Sequence, residues 1–164
     1  MIDTVRIPEQ RKGALIGREG CVKSELERKT RTAIKINDGV EIKGEVLDVL
    51  KAKEIVKAIG RGFPPEKAFK LMHDDFRLVV ISLGDENEKR MKRLLSRIIG
   101  KSGKCRRTIE MLTKTDICIY GKTIAIIGGW ENVEKANEAI GLLLKGKTHA
   151  YVYRCLESGK GDEE

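Results

Sequence analysis

Apolar side chains recur along this chain in two periods, and the switches between them outline the elements. In the C-terminal half, Arg77 to Leu83 is a β-branched and apolar run that predicts a buried strand. Met91, Leu94, Leu95, Ile98 and Ile99 then recur at helical spacing. Asp85 or Asn87 is placed to cap that helix, which ends at Gly100-Lys101-Ser102-Gly103. Cys105, Ile109 and Leu112 mark a second helix. Ile117 and Ile119, a turn at Tyr120-Gly121-Lys122-Thr123, and Ile124 to Ile127 read as two paired strands. Asn132 is placed to cap a last helix bearing Val133, Ala136, Ile140 and Leu143.

The N-terminal half follows the same order. Thr4 to Ile7 predicts a strand, Leu15 and Ile16 end a short helix, Gly17 to Gly20 breaks it, and Leu26 sits in the next helix. Strands around Ala33 to Ile36 and Val40 to Ile42 precede a helix from Asp48. Both halves therefore read β-α-α-β-β-α. A shift of 83 positions superposes Ile16-Gly17-Arg18-Glu19-Gly20 on Ile99-Gly100-Lys101-Ser102-Gly103. It also brings Leu26-Glu27 onto Ile109-Glu110 and Thr30 to Ile36 onto Thr113 to Ile119. One position further, Val49, Ala52, Val56 and Ile59 fall on Val133, Ala136, Ile140 and Leu143. A register kept over so long a stretch indicates duplication of one fold unit.

Domain limits follow: a first domain at 1–60, a connector at 61–75, a second domain at 76–147, and a C-terminal arm with a frayed tail at 148–164. Gly60-Arg61-Gly62-Phe63-Pro64-Pro65-Glu66 stops one helix and starts another, since proline suits a first helical turn. Phe69, Leu71, Met72 and Phe76 give the connector an apolar face, which predicts docking rather than a loose tether. Alternating Tyr151 and Tyr153 predict a short strand or extended arm packed on the second domain, with contact to a binding partner as the other reading.

Composition narrows the function. At 164 residues the chain holds two small domains and no large multidomain enzyme. Lys plus Arg number 33 against 25 Asp plus Glu, a formal charge of +8 that favours a polyanionic partner. No run approaches a membrane span, and Met1 to Arg6 lacks a signal peptide's apolar stretch, so a cytoplasmic location and no membrane contact are expected. Cys21, Cys105, Cys118 and Cys155 lack zinc-ligand spacing and read as small buried hydrophobes. A disulfide stays open, because Gln10 is the only glutamine among abundant Lys, Glu and Ile, a bias of hyperthermophiles.

Strand, helix, Gly-x-x-Gly, helix, strand resembles the KH RNA-binding domain. The closest likeness runs through Ile7-Pro8 and Gly13-Ala14-Leu15-Ile16-Gly17-Arg18-Glu19-Gly20. The fold implied is α+β, two tandem type I KH domains, each a three-stranded sheet packed on helices, joined by a short helical connector. Physics agrees with that use of the loop. Glycines allow a tight turn and close approach of a sugar-phosphate chain, and the following helix points unpaired N–H groups and its positive dipole end at phosphate. The resemblance implies that the loop clamps about four nucleotides while an aliphatic groove takes the bases. An RRM or OB fold would need stacking rings on its strands, which here carry Ile, Val, Leu and Cys with Tyr120 only at an end.

Charge separates the copies. Lys89, Arg90, Lys92, Arg93, Arg97, Lys101, Lys104, Arg106 and Arg107 form a stretch without one acid. Between Arg11 and Arg31 seven bases are interrupted by Glu19, Glu25 and Glu27, and Glu19 lies inside the loop, where it repels phosphate. The second domain is therefore the expected principal reader. Expected contacts are Arg97, Gly100, Lys101, Ser102, Gly103, Lys104, Arg106 and Arg107, with Gly17, Arg18, Gly20 and Lys23 at the first loop. The bland alternative for the basic stretch is a solvated helix face.

Ile59 to Phe69, Ile126-Ile127-Gly128-Gly129-Trp130 and the tandem units further resemble the ribosome-assembly KH family called partner of Nob, in its shorter archaeal form. That resemblance implies binding of single-stranded small-subunit ribosomal RNA near its 3′ end, help to the Nob endonuclease that matures that end, and a link to translation initiation factor two. In eukaryotic members the first loop is degenerate and serves protein contact; here both glycines remain. Two other readings stand beside it: a protein-interaction scaffold for a nuclease or initiation factor, and a general KH regulator of messenger RNA.

Catalysis has no support. His73 and His149 lie apart with no nucleophile motif beside either, Glu131 and Glu134 fall on a solvated helix face, and neither loop matches G-x-x-x-x-G-K-[ST]. No cofactor or metal site is expected.

Overall fold

The alternation Val40-Glu41-Ile42-Lys43 gives a strand with one buried and one exposed face, and the rest of its sheet assembles on that pattern. A computed structural model describes residues 1–158. The chain divides into two units, Met1–Asp74 and one beginning at Asp75. In the first, β1 (Ile2–Val5), β2 (Ala33–Ile36) and β3 (Val40–Lys43) form an antiparallel sheet in the order β1-β3-β2. Val5 faces Val40 and Ile34 faces Ile42, so the apolar residues share one side. Helices α1 (Glu9–Ile16), α2 (Cys21–Thr30) and α3 (Val46–Gly60) bring Leu15, Leu26, Val49, Ala52, Val56 and Ile59 to full burial.

The segment expected as a connector belongs to the first unit. It forms α4 (Pro65–Ala68) and a 3-10 turn at Phe69–Met72, with Phe63, Ala68 and Leu71 buried. Lys51 Nζ donates to Met72 O at 2.8 Å and meets Asp74 at 2.6 Å, while Lys29 lies 4.7 Å from the Phe69 ring. The segment's apolar side chains thus find cover inside the first unit.

In the second unit β4 (Phe76–Ser82), β5 (Asp116–Tyr120) and β6 (Thr123–Gly129) pair antiparallel in the order β4-β6-β5. Ile126 lies opposite Val79 and Ile117, and Ile124 opposite Ile81 and Ile119, so one face feeds the core. Gly121, at φ 57°, supplies the positive φ a two-residue hairpin needs. Helices α5 (Glu88–Ile99), α6 (Lys104–Thr113) and α7 (Trp130–Leu144) complete the repeat. Asn87 caps α5 by accepting from the Arg90 N–H at 2.8 Å. Asn132 does not cap α7: the helix starts at Trp130, whose N–H donates to Asp75 O, and Asn132 lies inside its first turn.

The C-terminal arm is not a strand. It forms α8 (His149–Ser158), with Val152 buried and Tyr151, Tyr153, Cys155 and Leu156 packed against the core. Spacing of three and four residues from Val152 outweighs a two-residue alternation too short to define a strand. Beyond Ser158, the expected frayed tail lies outside the described residues. None of the four cysteines forms a disulfide, but only Cys105 is buried; Cys118 and Cys155 are half-buried and Cys21 is exposed, because it opens α2 beside a surface loop. Among the described residues no helix is long and apolar enough to cross a membrane.

The 83-residue repeat is visible in hydrogen bonds as well as in letters. Thr30 Oγ1 bonds Leu26 O at 2.6 Å and Thr32 Oγ1 at 2.8 Å; Thr113 bonds Ile109 O at 2.7 Å and Thr115 at 2.8 Å. Glu27 accepts from the Ile34 N–H and Glu110 from the Ile117 N–H, each at 2.9 Å. These bonds pin the end of the helix after each loop to the following strand.

Candidate nucleic-acid interface

Each Gly-x-x-Gly loop is a break in a helix imposed by backbone angles that favour glycine. The Gly17 N–H donates to Gly13 O and the Gly100 N–H to Ser96 O, both at 2.9 Å, and φ then turns positive, 77° and 76°. A Cβ on Gly17 would lie 2.5 Å from Val22 Cγ2; one on Gly100 would lie 2.7 Å from Cys105 Cβ and 2.8 Å from its backbone nitrogen. Space and angle both require glycine there. At the fourth position only the angle does for Gly20, which has nothing within 4 Å, whereas a Cβ at Gly103 would meet only the movable Arg107 guanidinium at 3.0 Å. Glu19 and Ser102 hold the left-handed region at φ 55° and 56°.

α2 and α6 begin directly after the loops; the first N–H of each is taken by the loop, Cys21 by Arg18 O and Lys104 by Lys101 O, and the first turn carries the positive end of the helix dipole. At the second loop that field is reinforced. Lys101 and Lys104 are exposed, and Arg107 Nη1 donates to Ser102 O at 2.7 Å, laying its guanidinium against the loop. The corresponding positions of the first loop hold Arg18, Cys21 and Ser24, with Glu19 in place of Ser102. Ile16, 38% exposed, and the half-buried Ile99 stand at the feet of the two loops.

Other expected contacts are engaged elsewhere. Arg106 pairs with Glu110 at 2.8 Å and Lys23 with Glu27 at 3.0 Å, each part of the repeated brace between helix and strand. Burial pulls the Glu27 carboxyl upward, but the Ile34 N–H and then Lys23 outweigh it, so the carboxyl lies below its ordinary range. Arg97 Nη2 donates to the Lys147 carbonyl. The structure thus gathers Gly100, Lys101, Ser102, Gly103, Lys104 and Arg107 at one loop and Gly17, Arg18 and Gly20 at the other, and ties Arg97, Arg106 and Lys23 into the scaffold.

Sequence reasoning missed what α8 does for the second loop. His149 Nε2 lies 2.9 Å from Arg97 O, in the last turn of α5. The Tyr153 hydroxyl reaches Cys105 and Thr108 on α6. Burial, with the Cys105 thiol adding to it, pushes the Tyr153 phenol up to about 12. Burial likewise raises the Cys105 thiol. α8 therefore holds both helices that flank the loop. His149, Val152, Tyr153 and Leu156 recur at helical spacing, the signal that could have revealed it. Among the described residues no group of three or more His, Cys, Asp or Glu side chains is placed to hold a metal ion.

Comparison with known proteins agrees with this geometry. A family model described as a KH domain matches residues 2–58, and one described as a eukaryotic type KH-domain (KH-domain type I) matches residues 76–160. A KH domain-containing protein of Methanocaldococcus jannaschii is 42% identical over 95% of this chain and 73% of its own length. The pre-rRNA-processing protein PNO1 of Phaeosphaeria nodorum is 32% identical over 68% of this chain, which spans only 44% of that relative. A chain in the crystal structure of an a/eIF2alpha-aDim2p-rRNA complex from Pyrococcus horikoshii OT3 superposes with a TM-score of 0.90 at 40% identity, covering 97% of this chain and 93% of that one.

Proposed function

This chain belongs to the tandem KH-domain family of PNO1 and aDim2p, and from that membership we propose that it is an RNA-binding ribosome-assembly factor that holds single-stranded RNA at its second Gly-x-x-Gly loop. One observation carries the choice of loop. The two share a backbone, yet only the second surrounds it with Lys101, Lys104 and Arg107 and no carboxylate. In this reading the positive N-terminal end of α6, with the Ser102 hydroxyl, receives a phosphate, and the lysines neutralise its neighbours. The protein acts by binding, without a catalytic step of its own.

The rRNA in the aDim2p complex and the pre-rRNA-processing name of PNO1 support ribosomal RNA as the ligand. We extend the reading to the region near the 3′ end of small-subunit RNA, where the protein would present its substrate to the Nob endonuclease in the cytoplasm. The a/eIF2alpha in the same complex supports initiation factor two as a protein partner. A protein-binding role is favoured for the first domain alone, because Glu19 sets a carboxylate where phosphate would come.

The test is Lys101→Asp with Ser102→Asp, a change the exposed loop accommodates, since Asp tolerates the left-handed region. Filter binding should show RNA affinity lowered by roughly a hundredfold, about 3 kcal/mol, with the melting curve unchanged. Arg18→Asp with Glu19→Asp should lower it far less. Equal losses at the two loops would overturn the assignment.

A further inference from the structure

We propose that the exposed face of α5 is a second phosphate track, on which Lys89, Lys92 and Arg93 carry the RNA backbone beyond the clamp; this rests on the reading of the second loop given above. The three residues, with Ser96, are spaced i, i+3, i+4 and i+7, so they share one side of the helix. All four are exposed. Gly100 follows Lys89 by 11 residues, which at 3.6 residues per turn returns to within roughly 20° of the same side. The strip therefore runs into the loop, over roughly 16 Å at 1.5 Å per residue.

Among the described residues no acid pairs with this strip; Glu88, four residues before Lys92, is exposed and makes no ion pair with it. Among the described residues Lys89, Lys92 and Arg93 have no ion pair; the one on this helix, Arg90 with Glu86 at 2.9 Å, lies off the strip. Like charges three and four residues apart repel, and Lys89 stands at the helix's positive end, so the arrangement is unfavourable to α5 on its own. A solvated face usually mixes signs; here the positions 89, 92, 93 and 96 carry none but positive charge, with Glu88 only at the N-terminal margin.

The first unit supplies the contrast. Where α5 has Lys92 and Arg93, α1 has Glu9 and Gln10. The bases α1 does carry are engaged: Lys12 with Glu9 and Asn37 O, both at 2.6 Å, and Arg11 with Ile59 O at 2.8 Å and Phe63 O at 3.0 Å. A free basic strip thus occurs on the same helix, and in the same unit, as the acid-free loop.

The experiment compares RNA of about four nucleotides, the length a KH loop clamps, with RNA about three times as long, both by fluorescence anisotropy near physiological salt. Lys89→Gln with Lys92→Gln and Arg93→Gln should leave the short RNA within about twofold, since a Debye length near 8 Å screens the distant charges. Long RNA should lose about tenfold, and its slope of log affinity against log salt should fall by about 2, from ~0.7 per phosphate contact. Arg28→Gln with Lys35→Gln and Lys43→Gln removes the same charge from the first unit and should change neither. A long-RNA loss no greater than the short-RNA loss, or an equal loss in that control, overturns the track. If Lys101→Asp with Ser102→Asp leaves short RNA bound, the loop reading itself has failed, a result distinct from a silent α5 variant.

Discussion

At Gly17, Glu19 and Gly20 the φ angles are 77°, 55° and 77°; at Gly100, Ser102 and Gly103 they are 76°, 56° and 76°. The two loops are one backbone made twice, and the same duplication fixes Glu27 and Glu110 against the next strand at 2.9 Å. Around that shared frame the side chains part company. The first loop sets Arg18 beside a carboxylate, while the second is ringed by Lys101, Lys104 and Arg107 and has α8 behind it. Glycine angles and buried hydrogen bonds resist change because a misfit disturbs packing, whereas an exposed charge can change sign at little cost to the fold. Duplication thus preserves the geometry of a binding loop more faithfully than its chemistry.

The frame can be attacked at both copies. Gly17→Ala and Gly100→Ala should each lower stability by about 3 kcal/mol, combining a left-handed penalty with a clash. Gly20→Ala and Gly103→Ala should cost only about 1–2 kcal/mol, the angle alone. Thermal unfolding of the four variants checks this, and a large loss at one loop only would break the equivalence.

A smaller effect should follow from Glu27→Gln. The Ile34 and Lys23 bonds favour the charged carboxyl, so the substitution should destabilise by roughly 1–2 kcal/mol at neutral pH. Because the folded carboxyl lies below its ordinary range, that stability is present above the unfolded value and lost as pH falls through the folded one. Denaturant titrations should therefore converge for the two proteins in acid. Glu110→Gln should match it at neutral pH if the two braces are equivalent.

The difference between the copies is probed by Tyr153→Phe. Loss of the hydroxyl that reaches Cys105 and Thr108 should cost about 1 kcal/mol and weaken RNA binding several-fold. The phenol that ionises near about 12 should disappear from an absorbance titration. A stability unchanged by Tyr153→Phe would show that α8 merely covers the core without steadying the loop.

Much of this was readable beforehand, and the misreadings share a cause. The order of strands, helices and loops in both units followed from apolar period and glycine placement, though the first strand, expected at Thr4 to Ile7, is Ile2–Val5, and of the two cap candidates Asp85 and Asn87 the structure uses Asn87. Asn132 was misplaced because an Asx residue inside a first turn looks like one just before it; Gly129 took the cap. Residues 61–75 read as a connector because their apolar residues name no partner, and α3 supplied the cover within the first unit. Cys21 read as buried because its type usually is, while its position at the start of α2 exposes it.

By itself the sequence determined the duplication, the element order and the two glycine-bounded loops, since φ preference and apolar period act over a few neighbouring residues. Only the tertiary structure decided which cations remain free beside those loops. Arg106 and Lys23 each have a glutamate four residues on, a pairing that helical spacing already offered, but Arg97 is bonded to a carbonyl 50 residues away in sequence, which no local pattern announces, while Lys101 and Lys104 are left to solvent. A long basic side chain binds whatever acceptor the fold brings within about 3 Å, and where that acceptor lies far along the chain, as for Arg97, only the folded structure names it.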